Sequence, residues 1–175
     1  MPHACYTFAK DIYIQLRNGE LNHLEPKKRQ EMIDHVFEFF VTAAEKGVSP
    51  AFFYLGTIYL EGIYVKKDYE MAVDMFVKGA AKNNAFCFFE LSRLYAGEGE
   101  EKDPYLQFLY LKRAAEEGYV PAQHMVGIAY HQGEIVERND FRALAWFRES
   151  VRNGNPMSYL YAAEILDLDP EKTKG

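Results

Sequence analysis

Cysteine is scarce: only Cys5 and Cys87 occur in 175 residues, far apart and in unlike contexts. A disulfide framework is therefore not indicated, and a reducing, cytoplasmic setting is expected. Long apolar runs are missing too, because the stretch Ala51 to Leu60 stops after ten residues at Glu61, short of the roughly 18–20 that span a bilayer. No membrane insertion is expected. Met1 to Glu20 lacks the charged start and apolar core of a secretory signal, Asp11 and Glu20 fit poorly with a transit peptide, and no Asn-x-Ser/Thr sequon occurs. Basic residues are outnumbered, 20 Lys and Arg against 26 Asp and Glu, for a net charge of −6. The longest basic run, Lys27-Lys28-Arg29, is flanked by Glu25 and Glu31, so a nucleic-acid partner is not expected.

What is present is a repeat. Gly47, Asn83, Gly118 and Gly154 advance by 36, 35 and 36 residues, and other columns keep the same step. Ala51, Cys87, Ala122 and Ser158 form one. Leu55-Gly56, Leu91-Ser92, Val126-Gly127 and Ala162-Ala163 form the next, followed by Tyr59, Tyr95, Tyr130 and Leu166. A second set stays in phase: Asp68, Asp103 and Asn139, then Ala72, Gln107 and Ala143, then Met75-Phe76, Tyr110-Leu111 and Trp146-Phe147. The small pairs Gly79-Ala80, Ala114-Ala115 and, more loosely, Ser150-Val151 close it. A fixed period of 20–50 residues means stacked supersecondary units.

Each column has a physical task in a helix-turn-helix unit. Small, apolar, small and aromatic residues at offsets 0, +4, +5 and +8 fall on one helical stripe, so each first helix should bury that stripe. Gly56, Ser92, Gly127 and Ala163 sit where a bulky side chain would hold packed helices apart. Asp68, Asp103 and Asn139 are expected N-caps of the second helices, with Pro104 at a first helical position that tolerates it. Gly47, Gly118, Gly154 and Asn83 suit the left-handed residue that ends a second helix, and Gly62 and Gly133 the same place after a first helix. Upstream the phase is degenerate: Cys5 to Arg17 reads as a first-type helix, Asn18 to Asn22 as a turn and Pro26 to Lys46 as a long second-type helix. Such irregularity is expected of a terminal unit.

With these residues laid out, the chain resembles the Sel1-like repeat family, relatives of the tetratricopeptide repeats. The resemblance rests on A-x3-LG-x2-Y-x2-G, a V-x-x-D stretch, then A-x3-F and a small pair before glycine, and Ala51 to Ala80 carries it best. It extends over about Ala43 to Leu166. Cys87, Gln107 and Ser92 depart from the pattern, and Gly97-Glu98-Gly99 blurs the middle turn. The implied fold is all-α, a right-handed α-solenoid of stacked helix-turn-helix units forming a single repeat domain, 1–175. Its parts would be a degenerate helix pair at 1–47, repeats at 48–83, 84–118 and 119–154, a half repeat or capping helix at 155–168 and a polar tail at 169–175.

The resemblance also implies that first helices line a concave groove. Carried over by position, the groove residues are Phe53, Thr57 and Leu60, with Pro50, in the first repeat. Phe86, Phe89 and Arg93, with Ala96, follow in the second, then His124, Ile128 and His131, with Pro121, in the third. Leu160, Met157, Glu164 and Asp167 belong to the last half repeat, and Lys10, Ile14 and Arg17 are weaker candidates. Phe53, Leu60, Phe86, Phe89 and Ile128 would make an apolar floor, with Arg93, His124 and His131 as polar handles. The same aromatics could instead pack between neighbouring first helices.

Chemistry is sought without success. His124 and His131 are seven apart, beyond the i, i+4 step that grips zinc, and Glu98, Glu100, Glu101 and Asp103 lack the order of a calcium loop. No dinucleotide, phosphate-loop, nucleophile-elbow or zincin motif occurs. The expectation is a non-catalytic scaffold or adaptor without metal or cofactor, part of a multiprotein complex, holding a protein segment in the groove. The alternative is a structural subunit docking by its convex face or its C-terminal edge, at Tyr159 and Tyr161, and a groove hydrolase is the remote third reading.

Overall fold

The computed structural model describes residues 2–98 and 102–166, and within them every regular element is helical. The helices are α1 (Pro2–Arg17), α2 (Pro26–Glu45), α3 (Ser49–Glu61), α4 (Tyr69–Ala80), α5 (Ala85–Arg93), α6 (Pro104–Glu116), α7 (Val120–Gln132), α8 (Asp140–Arg152) and α9 (Met157–Ile165). A π-helical turn, Leu94–Glu98, follows α5 directly. Gly99, Glu100, Glu101, Asp167 and the expected polar tail, 169–175, lie outside the described residues. The chain forms two compact units that divide after Cys87. In the first, α1 packs on α2, α2 on α3 and α3 on α4; in the second, α6 packs on α7, α7 on α8 and α8 on α9.

The three repeat hairpins close with the same hydrogen bonds. The backbone N–H of the cap residue donates to the carbonyl of the column tyrosine: Asp68 to Tyr59 at 3.0 Å, Asp103 to Tyr95 at 3.0 Å and Asn139 to Tyr130 at 2.8 Å. The cap side chains then accept from the first turn of the second helix, Asp68 from Met71, Asp103 from Tyr105 and Leu106, and Asn139 from Arg142. Those bonds satisfy amides that no helical carbonyl can reach. At the far end the chain turns through Gly47, Asn83, Gly118 and Gly154, all with positive φ. The next N–H reaches back five residues in every case, Val48 to Ala43, Asn84 to Gly79, Tyr119 to Ala114 and Asn155 to Ser150. This is the Schellman closure that the glycine column anticipates.

The middle turn shows how the pattern absorbs a missing residue. Tyrosine and cap stand nine residues apart at Tyr59/Asp68 and Tyr130/Asn139 but eight apart at Tyr95/Asp103. Where Gly62 and Gly133 cap their helices in the left-handed region, the shortened connection ends in the π-helical turn with Gly97 at φ 111°. The hydrogen bond from Asp103 to Tyr95 survives the change.

The seam inside the α3–α4 and α7–α8 hairpins depends on the missing side chain. A Cβ on Gly56 would stand 2.5 Å from the ring of Phe76, and one on Gly127 the same distance from Phe147. Both rings are fully buried, as are Ala51, Ala72, Ala122 and Ala143. Outside the repeat phase, the α1–α2 hairpin substitutes rings for small residues. Tyr54 stacks on Phe40 at 4.8 Å, and Tyr13 meets Tyr54 and Tyr64 edge-on. Burial there pushes the Tyr54 and Tyr64 hydroxyls up to about 12.

Gly56→Leu and Gly127→Leu are expected to lower stability by ~1–3 kcal/mol through overpacking, more where the ring cannot move. Asn139→Ala should cost ~1 kcal/mol through the lost cap. Thermal or urea unfolding followed by circular dichroism checks all three.

Candidate functional site: the first-helix faces

The sequence-derived groove residues fall into two sets, one in each unit. In the first unit, Phe53 and Phe86 are brought together with ring centroids 5.4 Å apart. Phe53 also meets Tyr54 and Phe76, which leaves it half-buried as a packing residue, whereas Phe86 is 50% exposed. Thr57 turns its hydroxyl inward, donating to the Phe53 carbonyl at 2.9 Å, and Leu60 is part-exposed one turn on.

In the second unit, Phe89 packs on Tyr119 at 4.8 Å, and burial raises the Tyr119 hydroxyl above its ordinary value. Arg93, one turn further along α5, pairs with Glu90 at 3.2 Å. His124 leans towards α9: its Nδ1 lies 2.8 Å from the Ser158 hydroxyl, and its ring packs against both Phe147 and Tyr161, which stack on each other. Tyr161 is therefore half-buried within the hairpin seam, while Tyr159 is 43% exposed. His131 Nδ1 lies 2.7 Å from Asp140, which also holds Arg138 at 2.9 Å. The Arg138 guanidinium, and then the His131 hydrogen bond, hold the Asp140 carboxyl below its usual range. Ile128 lines a recess of about 180 Å³ with Leu111 and Met125, and Leu160 is 46% exposed on α9.

The two histidines do not converge on one point, and the described residues contain no group of three potential metal ligands. Sequence reasoning missed the Asp140 partner of His131. Its signal was the cap itself, since the Asn139-to-Tyr130 bond folds residue 140 back beside residue 131. Missed as well were the buried amides at the joints. Asn84 donates to the Ser49 hydroxyl and accepts from the Cys87 N–H, while Gln123 donates to the Ala115 carbonyl and accepts from Asn153. These bonds lock helix junctions.

Paired helices with this closure and this seam define the class of tetratricopeptide-like helical repeats. The chain belongs to the Sel1 repeat family, whose model matches residues 49–84, 89–119 and 120–155. A Sel1 repeat protein from Oxalobacter formigenes is 27% identical, with a TM-score of 0.67 over 71% of this chain and 95% of that one. A protective antigen of uropathogenic Escherichia coli with an SLR fold is 26% identical, with a TM-score of 0.66 over 89% of this chain and 36% of that one. These likenesses place the fold among all-α repeat solenoids. The chitin synthase regulator SKT5 of Saccharomyces cerevisiae is 29% identical over 154 residues, 86% of this chain. The match spans only 21%, about a fifth, of that regulator. Sel1 repeat proteins are generally non-catalytic scaffolds, and their repeats point to protein partners. Among the described residues no helix is long and apolar enough to cross a membrane.

Burial holds the His124 imidazole below its ordinary pKa. The folded state then takes up a proton less readily than the unfolded chain, so stability is complete above about pH 6.5 and falls as the pH drops below it. His124→Gln should flatten that fall between pH 7.5 and 5.5 in urea unfolding, while the wild-type chain retains it.

Proposed function

We propose that the chain is a non-catalytic scaffold that holds a protein segment against its first-helix faces. The observation that carries this reading is the half-exposed Phe86 ring seated on Phe53, an aromatic displayed beside part-exposed Leu60 and Thr57. Aromatic anchors with a polar rim are what a docked helix or extended segment uses. In the second unit the corresponding surface offers Phe89, Ile128 and Leu160 as apolar contacts. Arg93, His124 and His131 contribute as polar groups already oriented by Glu90, Ser158 and Asp140. A scaffold role is in keeping with the regulator among its relatives. The setting proposed for it is cytoplasmic, within a multiprotein assembly and without nucleic acid, metal or cofactor. The repeat boundaries proposed from the sequence, 48–83, 84–118 and 119–154, supply one first helix each.

A second reading draws on the C-terminal edge. Leu144, Arg148, Val151, Tyr159, Ala162 and Leu166 line an open cleft of about 410 Å³ between α8 and α9. An assembly subunit docking there would use Tyr159 and not the inward-packed Tyr161.

Affinity capture from native extract separates the two. Phe86→Glu, or Phe89→Ala combined with Arg93→Glu, should reduce partner recovery at least roughly tenfold with helicity unchanged, as loss of an interface anchor does. Tyr159→Glu should then have little effect. Retention of the partner by the groove variants and its loss with Tyr159→Glu would replace the first reading with the second.

A further inference from the structure

On the second-helix side of the first unit, Val41, Ala44 and Glu45 of α2, Phe52, Leu55 and Tyr59 of α3, and Met71, Met75 and Lys78 of α4 surround an open cleft of about 390 Å³. That volume lies within the range of sites that take small ligands or single large side chains. Its floor is apolar, and Met71 and Met75 bring flexible thioethers that adapt to an inserted ring.

The molecule carries the same position a second time, 71 residues further along the chain. There Met75 is replaced by Trp146, Met71 by Arg142 and Phe52 by Gln123. The Arg142 guanidinium lies over the Tyr130 ring at 5.5 Å, and Tyr130 is the counterpart of Tyr59. Gln123 meanwhile ties the joint to Ala115 and Asn153. The second unit thus furnishes the position from its own chain with an indole and a cation on tyrosine. The first unit has two thioethers there, and its Tyr59 meets the Phe37 ring edge-on at 5.9 Å.

Charge beside the cleft selects what could complete it. Glu31, Glu38 and Glu45 stand seven residues apart on α2, and with Asp34 they share the helix face that carries Val41; all four acids are exposed. The one cation in the lining, Lys78, is paired with Asp74 at 2.6 Å. The wall is therefore acidic, as is the chain as a whole at −6.

We propose that the α2–α4 cleft docks a basic helical segment of a partner protein, which inserts one aromatic ring between Met71 and Met75 while its Lys or Arg side chains meet Asp34, Glu38 and Glu45. This surface is separate from the first-helix faces, and each can fail without the other.

The test uses the full chain with its methionine methyl groups labelled for NMR. The probe is an acetylated, amidated helical peptide of Lys, Ala and Leu with one central Trp, run beside a Lys-to-Glu version and a Trp-to-Ala version. The Met71 and Met75 methyl signals should move with the first peptide, and affinity should fall at least roughly tenfold with either altered version or on raising salt towards 1 M. Glu38→Lys combined with Glu45→Lys should weaken binding to a similar degree, and Met75→Trp should block it, whereas Phe86→Glu should leave it unchanged. Unmoved Met71 and Met75 signals, equal affinity for the Lys and Glu peptides, or undiminished binding to the Glu38→Lys, Glu45→Lys chain would each overturn the proposal. If Met75→Trp fails to fold, the methyl shifts and the charge-reversed chain decide the matter.

Discussion

A phenyl ring lying where a glycine has no side chain is the contact on which the α3–α4 and α7–α8 hairpins turn. Phe76 against Gly56 and Phe147 against Gly127 set how closely first and second helix approach, and that distance decides which neighbours are buried. The turns close by a separate pair, cap and tyrosine, which forms equally in the α5–α6 hairpin where Ser92 stands in the glycine position. The rest follows by stacking, because two helices cannot bury both their faces alone, and within each compact unit the successive helices pack on one another. Beside the first hairpin a cluster of rings packs the joint instead, with Tyr13 of α1 and Phe40 of α2 both meeting Tyr54 of α3.

The repeat was legible because its constraints are local and chemically narrow. Only a few residue types cap a helix, turn through positive φ or vanish beneath a ring, so Asp68, Gly118 and Gly56 announce their roles at fixed offsets. The surface was harder to read. Position alone assigns Phe53, Phe86 and His124 to one kind of face, yet Phe53 is shared with Phe76 and Tyr54, His124 is drawn to Ser158, and Phe86 is the ring left half in solvent. Those differences depend on which neighbour happens to be large, a property of packed pairs and not of a column. The cleft beside Met71 was illegible for a related reason: it reflects what α2, α3 and α4 jointly fail to fill.

Polar chemistry in the chain is spent on joints. Asn84, Gln123, Asn153 and Ser158 are engaged in holding helix ends, and His131 is tied to Asp140.

The π-helical turn after α5 shows that one residue can be lost from a hairpin's outer bend without disturbing the bond that closes it. A lineage is therefore free to trim or lengthen those bends generation by generation while the stacked interior is inherited intact. Variation would be expected to accumulate along that rim, making it the margin on which descendants of the same ancestral array could come to differ.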